Sequence, residues 1–298
     1  LVRLFSLTDQ SIPISANYFR TGLVLPAKTS YSTRKCPCTF PKLWLDIVIA
    51  VDNSADDGIK HISDKITSTF NELVIAQGEG QHSRVGVITY ASEAEINYGL
   101  DRFRSTEELL EGVLNLNTVD SEANITSGLA AARETLAFGR GPGLRRNVRT
   151  AIVLYATDYR EEDEETAEKI ADLIKADGTD IIVVAIDLGD ETKLNALRKL
   201  KKVATPGYLF LSTANDLRHQ VQHALCMTNC FCKGGWYQYA NITEDSTVKY
   251  GECLKPAIID ACWNAAKRSC RKSGNGKGYL ANEFDLDKHK FIAGGSRI

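Results

Sequence analysis

Several things are scarce in this 298-residue chain, and each scarcity closes off a class of function. No apolar run approaches the roughly 18 residues that a spanning helix requires. Basic residues are not in excess overall. There are 36 Lys and Arg against 38 Asp and Glu, a net charge of -2, so the chain lacks the basic balance expected of a nucleic-acid binder. Catalytic signatures are missing too. The five histidines (His61, His82, His219, His223, His289) are scattered. There is no G-x-S-x-G elbow, no G-x-x-x-x-G-K-[ST] phosphate loop and no H-E-x-x-H pair. The glycines of "GNGKG" (274–278) follow no buried strand and read as a turn. We expect a binding protein, not an enzyme.

Cysteine is absent from the long middle of the chain and clustered around it. Cys36 and Cys38 come first, then Cys226, Cys230 and Cys232, then Cys253, Cys262 and Cys270. "CPC" and "CMTNCFC" lack the C-x-x-C spacing of zinc sites, so the clusters read as a disulfide framework and imply an extracellular address. Two N-x-[ST] sequons, at Asn124 and Asn241, fit that address and are the candidate glycosylation sites. "LVRLFSLTDQ" is too short and polar for a signal peptide, and the chain reads as a fragment or a processed product. Residues 1–35 are polar and show no sustained period, which predicts a loosely structured lead.

From Leu43 to about Cys226, near-continuous apolar runs alternate with amphipathic segments. "LWLDIVIAV", "RVGVITY", "RTAIVLYATD" and "TDIIVVAIDLG" are rich in Val and Ile on both faces, as strands of a covered parallel sheet must be. Segments such as "IKHISDKITSTFNEL" and "ETAEKIADLIKAD" separate them. This alternation predicts an α/β domain with a doubly wound, mostly parallel sheet.

In such sheets ligands sit beyond the carboxyl ends of the strands. Asp52 closes one strand and Asp158 another, and Ser54 and Asp56 follow Asp52 at alternate positions. An all-oxygen set of this kind suits a hard cation, Mg²⁺ or Ca²⁺. Ser54 and Asp56 could equally cap the helix that follows.

"DIVIAVDNSAD", the "TDY" after a central strand and the Gly-Leu-Ala helix start between them resemble the von Willebrand factor A domain, over roughly residues 43–226. The resemblance implies a metal-ion-dependent adhesion site at Asp52, Ser54 and Asp158. Asp56 stands where the family has Ser. Asn124 stands where it has Thr, with Thr126 as the alternative. Three carboxylates would crowd negative charge around one ion, and a glycan on Asn124 would withdraw its oxygen. The resemblance also implies that the domain's ends meet, so that Cys36 and Cys38 pair with Cys226 and Cys230 in an order left open. The domain is then expected over 36–230.

After Cys230 a second resemblance begins. Cys232, Trp236, Tyr239 and Cys253 resemble the N-terminal hairpin of a C-type lectin-like domain, with Cys232 and Cys253 paired. Trp263, Ala266 and Cys270 resemble its first helix, and "GYLA" and "DKHKFI" its next strand and second helix. The order of the two domains resembles secreted nematode proteins. Residues 231–298 cover only the first half of that α+β fold. This implies an incomplete lectin segment without calcium-dependent sugar binding, and a Trp263–Ala266 face left uncovered. Cys262 and Cys270, eight residues apart on one helix, lie about 12 Å apart along its axis and cannot bridge. Together the resemblances imply an extracellular binding or adhesion protein with protein or glycan partners, or else a structural matrix component.

Overall fold

The computed structural model describes residues 3–7, 36, 38–54, 56–119, 121–139, 145, 147–257, 261–276, 278–281 and 286–294. In chain order the first elements are β1 (Arg3–Leu7), β2 (Leu45–Asp52), α1 (Asp56–Phe70), β3 (Arg84–Tyr90), β4 (Ala94–Tyr98), α2 (Thr106–Leu114) and α3 (Ile125–Gly139). Next come β5 (Arg149–Ala156), α4 (Glu164–Ala176), β6 (Thr179–Ala185), α5 (Glu191–Arg198), β7 (Leu209–Leu211) and α6 (Leu217–Thr228). The last are β8 (Tyr237–Ile242), β9 (Thr247–Ala257), α7 (Trp263–Ser273), β10 (Gly278–Leu280) and α8 (Leu286–Gly294). The chain divides into two compact units: Cys38–Asn229 with Ile242–Thr247, and Leu1–Pro37 with Cys230–Asn241 and Val248–Ile298.

The larger unit is a six-stranded sheet in the order β4-β3-β2-β5-β6-β7. All its neighbours run parallel except β4, which pairs antiparallel with β3. The Val- and Ile-rich runs form the central strands, and every residue of β2 is buried. Helices supply the covering layers through regular apolar spacing. Ile59, Ile62, Ile66 and Phe70 line the buried side of α1, and Ile125, Leu129, Ala132 and Leu136 that of α3. Burying each Ile or Leu contributes roughly 1.5–3 kcal/mol. Helix α4 stops where Gly178 takes φ +80 and donates its N–H to Lys175 O at 3.0 Å, a left-handed cap that glycine adopts without strain.

The acid inside β2 has a structural explanation. Asp46 sits opposite Arg84 in the ladder to β3. Arg84 donates Nε to Oδ1 at 3.0 Å and Nη2 to Oδ2 at 2.7 Å, while Arg145 Nε reaches Oδ1 at 3.0 Å. Arg145 also donates to His82 O at 2.8 Å. A carboxylate this buried survives only because it is paired and hydrogen-bonded. The disulfide Cys38–Cys226 closes the unit, with Cα atoms 5.6 Å apart.

The smaller unit is an antiparallel sheet in the order β10-β1-β9-β8. Its two disulfides are Cys36–Cys230 and Cys232–Cys253. The pairing order that the sequence left open is therefore Cys36 with Cys230 and Cys38 with Cys226. Cys262 and Cys270 are both free, Cys262 exposed at the start of α7 and Cys270 buried. Among the described residues two small apolar clusters make the core. Cys232, Trp236 and Cys270 form one, and Tyr239, Leu254 and Ile292 the other.

Two expectations are corrected here. Arg3–Leu7, inside the expected lead, is a strand paired with both β9 and β10, Phe5 lying opposite Lys255 and Leu280. A five-residue run carries too little pattern to announce a partner some 250 positions away. Residues 8–35 lie outside the described ones. Second, Trp263 and Ala266 do not share a fate. Ala266 and Cys270, one helical turn apart, form the buried face of α7, while Trp263 at its first position is 59% exposed.

Candidate functional site at the strand ends

Strands β2 and β5 are adjacent and parallel, with Val51 opposite Tyr155, so their carboxyl ends open side by side. Asp52 ends β2 with no exposure to solvent. Its Oδ1 accepts from Ser54 N at 3.0 Å and Ser54 Oγ at 2.6 Å. Its Oδ2 accepts from Thr157 N at 2.9 Å and Thr157 Oγ1 at 2.7 Å. A carboxylate offers about four acceptor positions, and chain donors fill all of them. Asp52 thus clasps the loop after β2 to the loop after β5.

Close packing holds this clasp. A Cβ added to Gly58 of α1 would meet Thr157 Cγ2 at 2.7 Å, and one added to Gly128 of α3 would meet the Tyr90 ring at 2.8 Å. Tyr90 lies fully buried and donates its hydroxyl to Tyr155 O at 2.9 Å. Burial, and then the negative charge of Asp52, raises its pKa far above the usual tyrosine value.

Asp158 is engaged differently. Its Oδ1 accepts from Tyr159 N at 2.7 Å, and its Oδ2 pairs with Lys193 Nζ at 2.9 Å. Lys193 comes from α5, whose start is capped by Asp190 accepting from Thr192 N and Lys193 N. Its pKa is raised, first by the hydrogen bond to Asp158 and then by the charges of Asp158, Asp190 and Asp52. The Lys193 ammonium therefore lies in the field of both strand-end acids.

The remaining expected ligands face other tasks. Asn124 caps α3, its Oδ1 accepting from Ser127 N at 3.0 Å and its Nδ2 donating to Ser92 O at 3.3 Å. Thr126 Oγ1 shares a hydrogen bond with Thr166 Oγ1 at 3.0 Å. Asp56 begins α1, and its side chain lies outside the described residues. Asn241, the second sequon, lies near the end of β8 and is half-buried. Sequence reasoning missed Thr157 and Lys193. Thr157 stands directly before Asp158, where a hydroxyl beside an acid was a usable signal. Lys193 is 35 positions from its partner in an ordinary amphipathic helix, and nothing local marks it.

A hard divalent cation needs six or more oxygens. Here Asp52 is saturated by chain donors, one Asp158 oxygen faces an ammonium, and the Asn124 oxygen caps a helix. Among the described residues no group of three or more His, Cys, Asp or Glu converges on one point. Among the described residues, the side chains as arranged do not fit a divalent cation.

Comparison with known proteins bears on both units. The chain is 32% identical over 270 residues to C-type lectin domain-containing protein 160 of Caenorhabditis elegans, covering 86% of this chain but 40% of that protein. It is 25% identical over 183 residues to integrin alpha-1 of Gallus gallus, 60% of this chain and 62% of that one. Matrilin-1 of Bos taurus is 21% identical over 255 residues, 83% of this chain and 45% of that one. The chain thus spans about half the length of the curated relatives it matches. Among solved structures, proximal thread matrix protein 1 from the mussel byssus superposes with a TM-score of 0.50 at 15% identity. The match covers 63% of this chain and 48% of that one, whose structure has a zinc-occupied metal-ion-dependent adhesion site. That likeness shows the fold. The model of the von Willebrand factor type A domain matches residues 46–224, and this chain belongs to that family, whose domains are typical of adhesion and extracellular-matrix proteins.

Proposed function

We propose that this chain is an extracellular binding protein whose A-type unit engages a protein partner without a divalent cation. The observation that carries this is the state of the two strand-end acids. Asp52 is saturated by Ser54 and Thr157, and Asp158 is neutralised by Lys193. An ammonium there supplies the positive charge that keeps neighbouring carboxylates from repelling one another. The disulfides Cys36–Cys230 and Cys38–Cys226 support an oxidising, extracellular setting. No helix among the described residues is long and apolar enough to cross a membrane.

The test is saturable binding of the full chain to immobilised extracellular-matrix proteins, with Mg²⁺ or with EDTA. The reading expects equal binding in both. Binding lost in EDTA would restore the metal-dependent site at Asp52, Ser54, Asp56, Asn124 and Asp158. No saturable binding to any of them would favour the structural matrix role instead.

A further inference from the structure

The near-zero net charge hides two oppositely charged halves. The unit Cys38–Asn229 with Ile242–Thr247 holds 20 Lys and Arg against 32 Asp and Glu, a net of -12. The other unit holds 16 against 6, a net of +10. In the acidic unit many basic side chains are spent internally. Arg133, Arg160, Lys169, Lys199, Lys202 and Arg218 each pair with a carboxylate of the same unit.

The basic unit concentrates unpaired charge on one helix. α7 reads WNAAKRSCRKS, with four basic residues and no acid. Its inner face is Ala266 and Cys270, and Lys267, Arg268, Arg271 and Lys272 are exposed. None of these four is in an ion pair among the described residues. Lys267 and Arg271 stack one turn apart, as do Arg268 and Lys272, each step advancing about 6 Å along the axis. Lys233 extends the strip at the far end, donating Nζ to Ser273 O at 3.3 Å. At the near end the exposed Trp263 ring carries Lys267 Nζ 4.8 Å from its centroid.

Helix stabilisation accounts for only part of this. Arg271 and Lys272 offset the helix dipole from the last turn, but Lys267 and Arg268 lie too far back to do so. A strip of five charges matches a linear polyanion better than a single carboxylate. The exposed indole adds a flat face of the kind that packs on a sugar ring. A lipid surface would demand a broad apolar face beside the basic one, and that face of α7 is already used in the core. The acidic unit of a second copy, with its net of -12, is the competing occupant, and the self-association arm of the test separates the two.

We propose that the outer face of α7, extended by Lys233, binds a sulfated polysaccharide, independently of the strand-end site and of any metal. The test uses the full chain and heparin as the probe, at 0.15 M salt with EDTA. Wild type should bind saturably and elute from heparin resin at higher salt than from a sulfonate resin. The variant K267Q/R268Q/R271Q/K272Q should bind about tenfold more weakly or worse and show a shallower salt dependence, since fewer counterions are released. Trp263→Ala should weaken heparin binding while leaving sulfonate elution unchanged. K199Q/K202Q, removing paired lysines of the acidic unit, should leave both unchanged. An unfolded quadruple variant would show itself as a lost thermal transition, and the Trp263→Ala comparison then decides. Heparin binding unaltered by either α7 variant overturns the proposal. So does equal retention on the two resins, or capture by phosphatidylserine vesicles in place of heparin. Self-association abolished by the quadruple variant, without heparin binding, would assign the face to a second copy and overturn it as well.

Discussion

The two units of this chain solve the same folding problem with different means. The A-type unit buries a continuous apolar core across six strands, drawing on β2, β3, β5 and β6 and the helices that cover them. Among its described residues the smaller unit has two small clusters, built around Cys232, Trp236 and Cys270 and around Tyr239, Leu254 and Ile292. Where core is plentiful, a disulfide is an addition; where it is thin, the disulfide becomes part of the core. Charge follows the same division. The A-type unit keeps a net charge of -12 but pairs its strand-end Asp158 from within, whereas α7 leaves its basic side chains free.

That contrast can be broken at Asp46. Replacing it by Ala strands the guanidiniums of Arg84 and Arg145 in a buried site, and losing one partner of such a network typically costs about 3–5 kcal/mol. Urea unfolding of the full chain should show the A-type transition falling by that amount while the other unit keeps its own. A drop below about 1 kcal/mol would mean that the network is solvated.

The opposite perturbation falls on the smaller unit. Cys253→Ser opens the Cys232–Cys253 loop, whose sequence separation is 21. In the chain-entropy model that loop is worth about 3 kcal/mol. With so little core to spare, the smaller unit should unfold first, seen as lost hydrogen-exchange protection in β8 and β9. Unchanged protection would show that the two clusters suffice alone.

Gly128→Ala sharpens the comparison inside the A-type unit. Its Cβ would enter the Tyr90 ring, and overpacking of this kind costs typically 1–3 kcal/mol. Melting of the variant reports it directly, and an unchanged midpoint would mean that α3 shifts freely.

A smaller effect belongs to pH. Burial lowers the pKa of His82, helped by the charges of Arg145 and Arg84 and opposed by Asp46. The folded unit then binds fewer protons than the unfolded chain as pH falls through about 6.5, the ordinary histidine value. Stability from this group is complete above that pH and declines below it. His82→Gln should flatten the acid side of the stability curve between about pH 6.5 and 5. An identical curve would locate the sensitivity elsewhere.

Much of this was legible in the sequence, for identifiable reasons. The Val and Ile runs announced the sheet because a strand buried on both faces has no room for polar residues. Asp52 stood out as an acid closing such a run and was read as a cation ligand; its four donors from Ser54 and Thr157 came only with the fold. The family resemblance gave the cysteines' neighbours, and only the fold gave their order. What was illegible came from long range. Lys193 reaches Asp158 from helix α5, Arg145 reaches Asp46 across 99 positions, and Arg3–Leu7 finds its strand partners far downstream. Net charge misled most of all, because -2 is the difference between two large and opposite values.

The central claim is that the strand-end acids are satisfied from within the chain. Titrating the full chain with Mg²⁺ or Ca²⁺ to millimolar concentration while recording its melting temperature tests it most directly, since a ligand that binds only the native state must raise that temperature. The account predicts no shift for wild type. It predicts none for Lys193→Ala either, because Asp52 stays saturated by Ser54 and Thr157. A saturable rise in wild type that Asp52→Ala erases would contradict it.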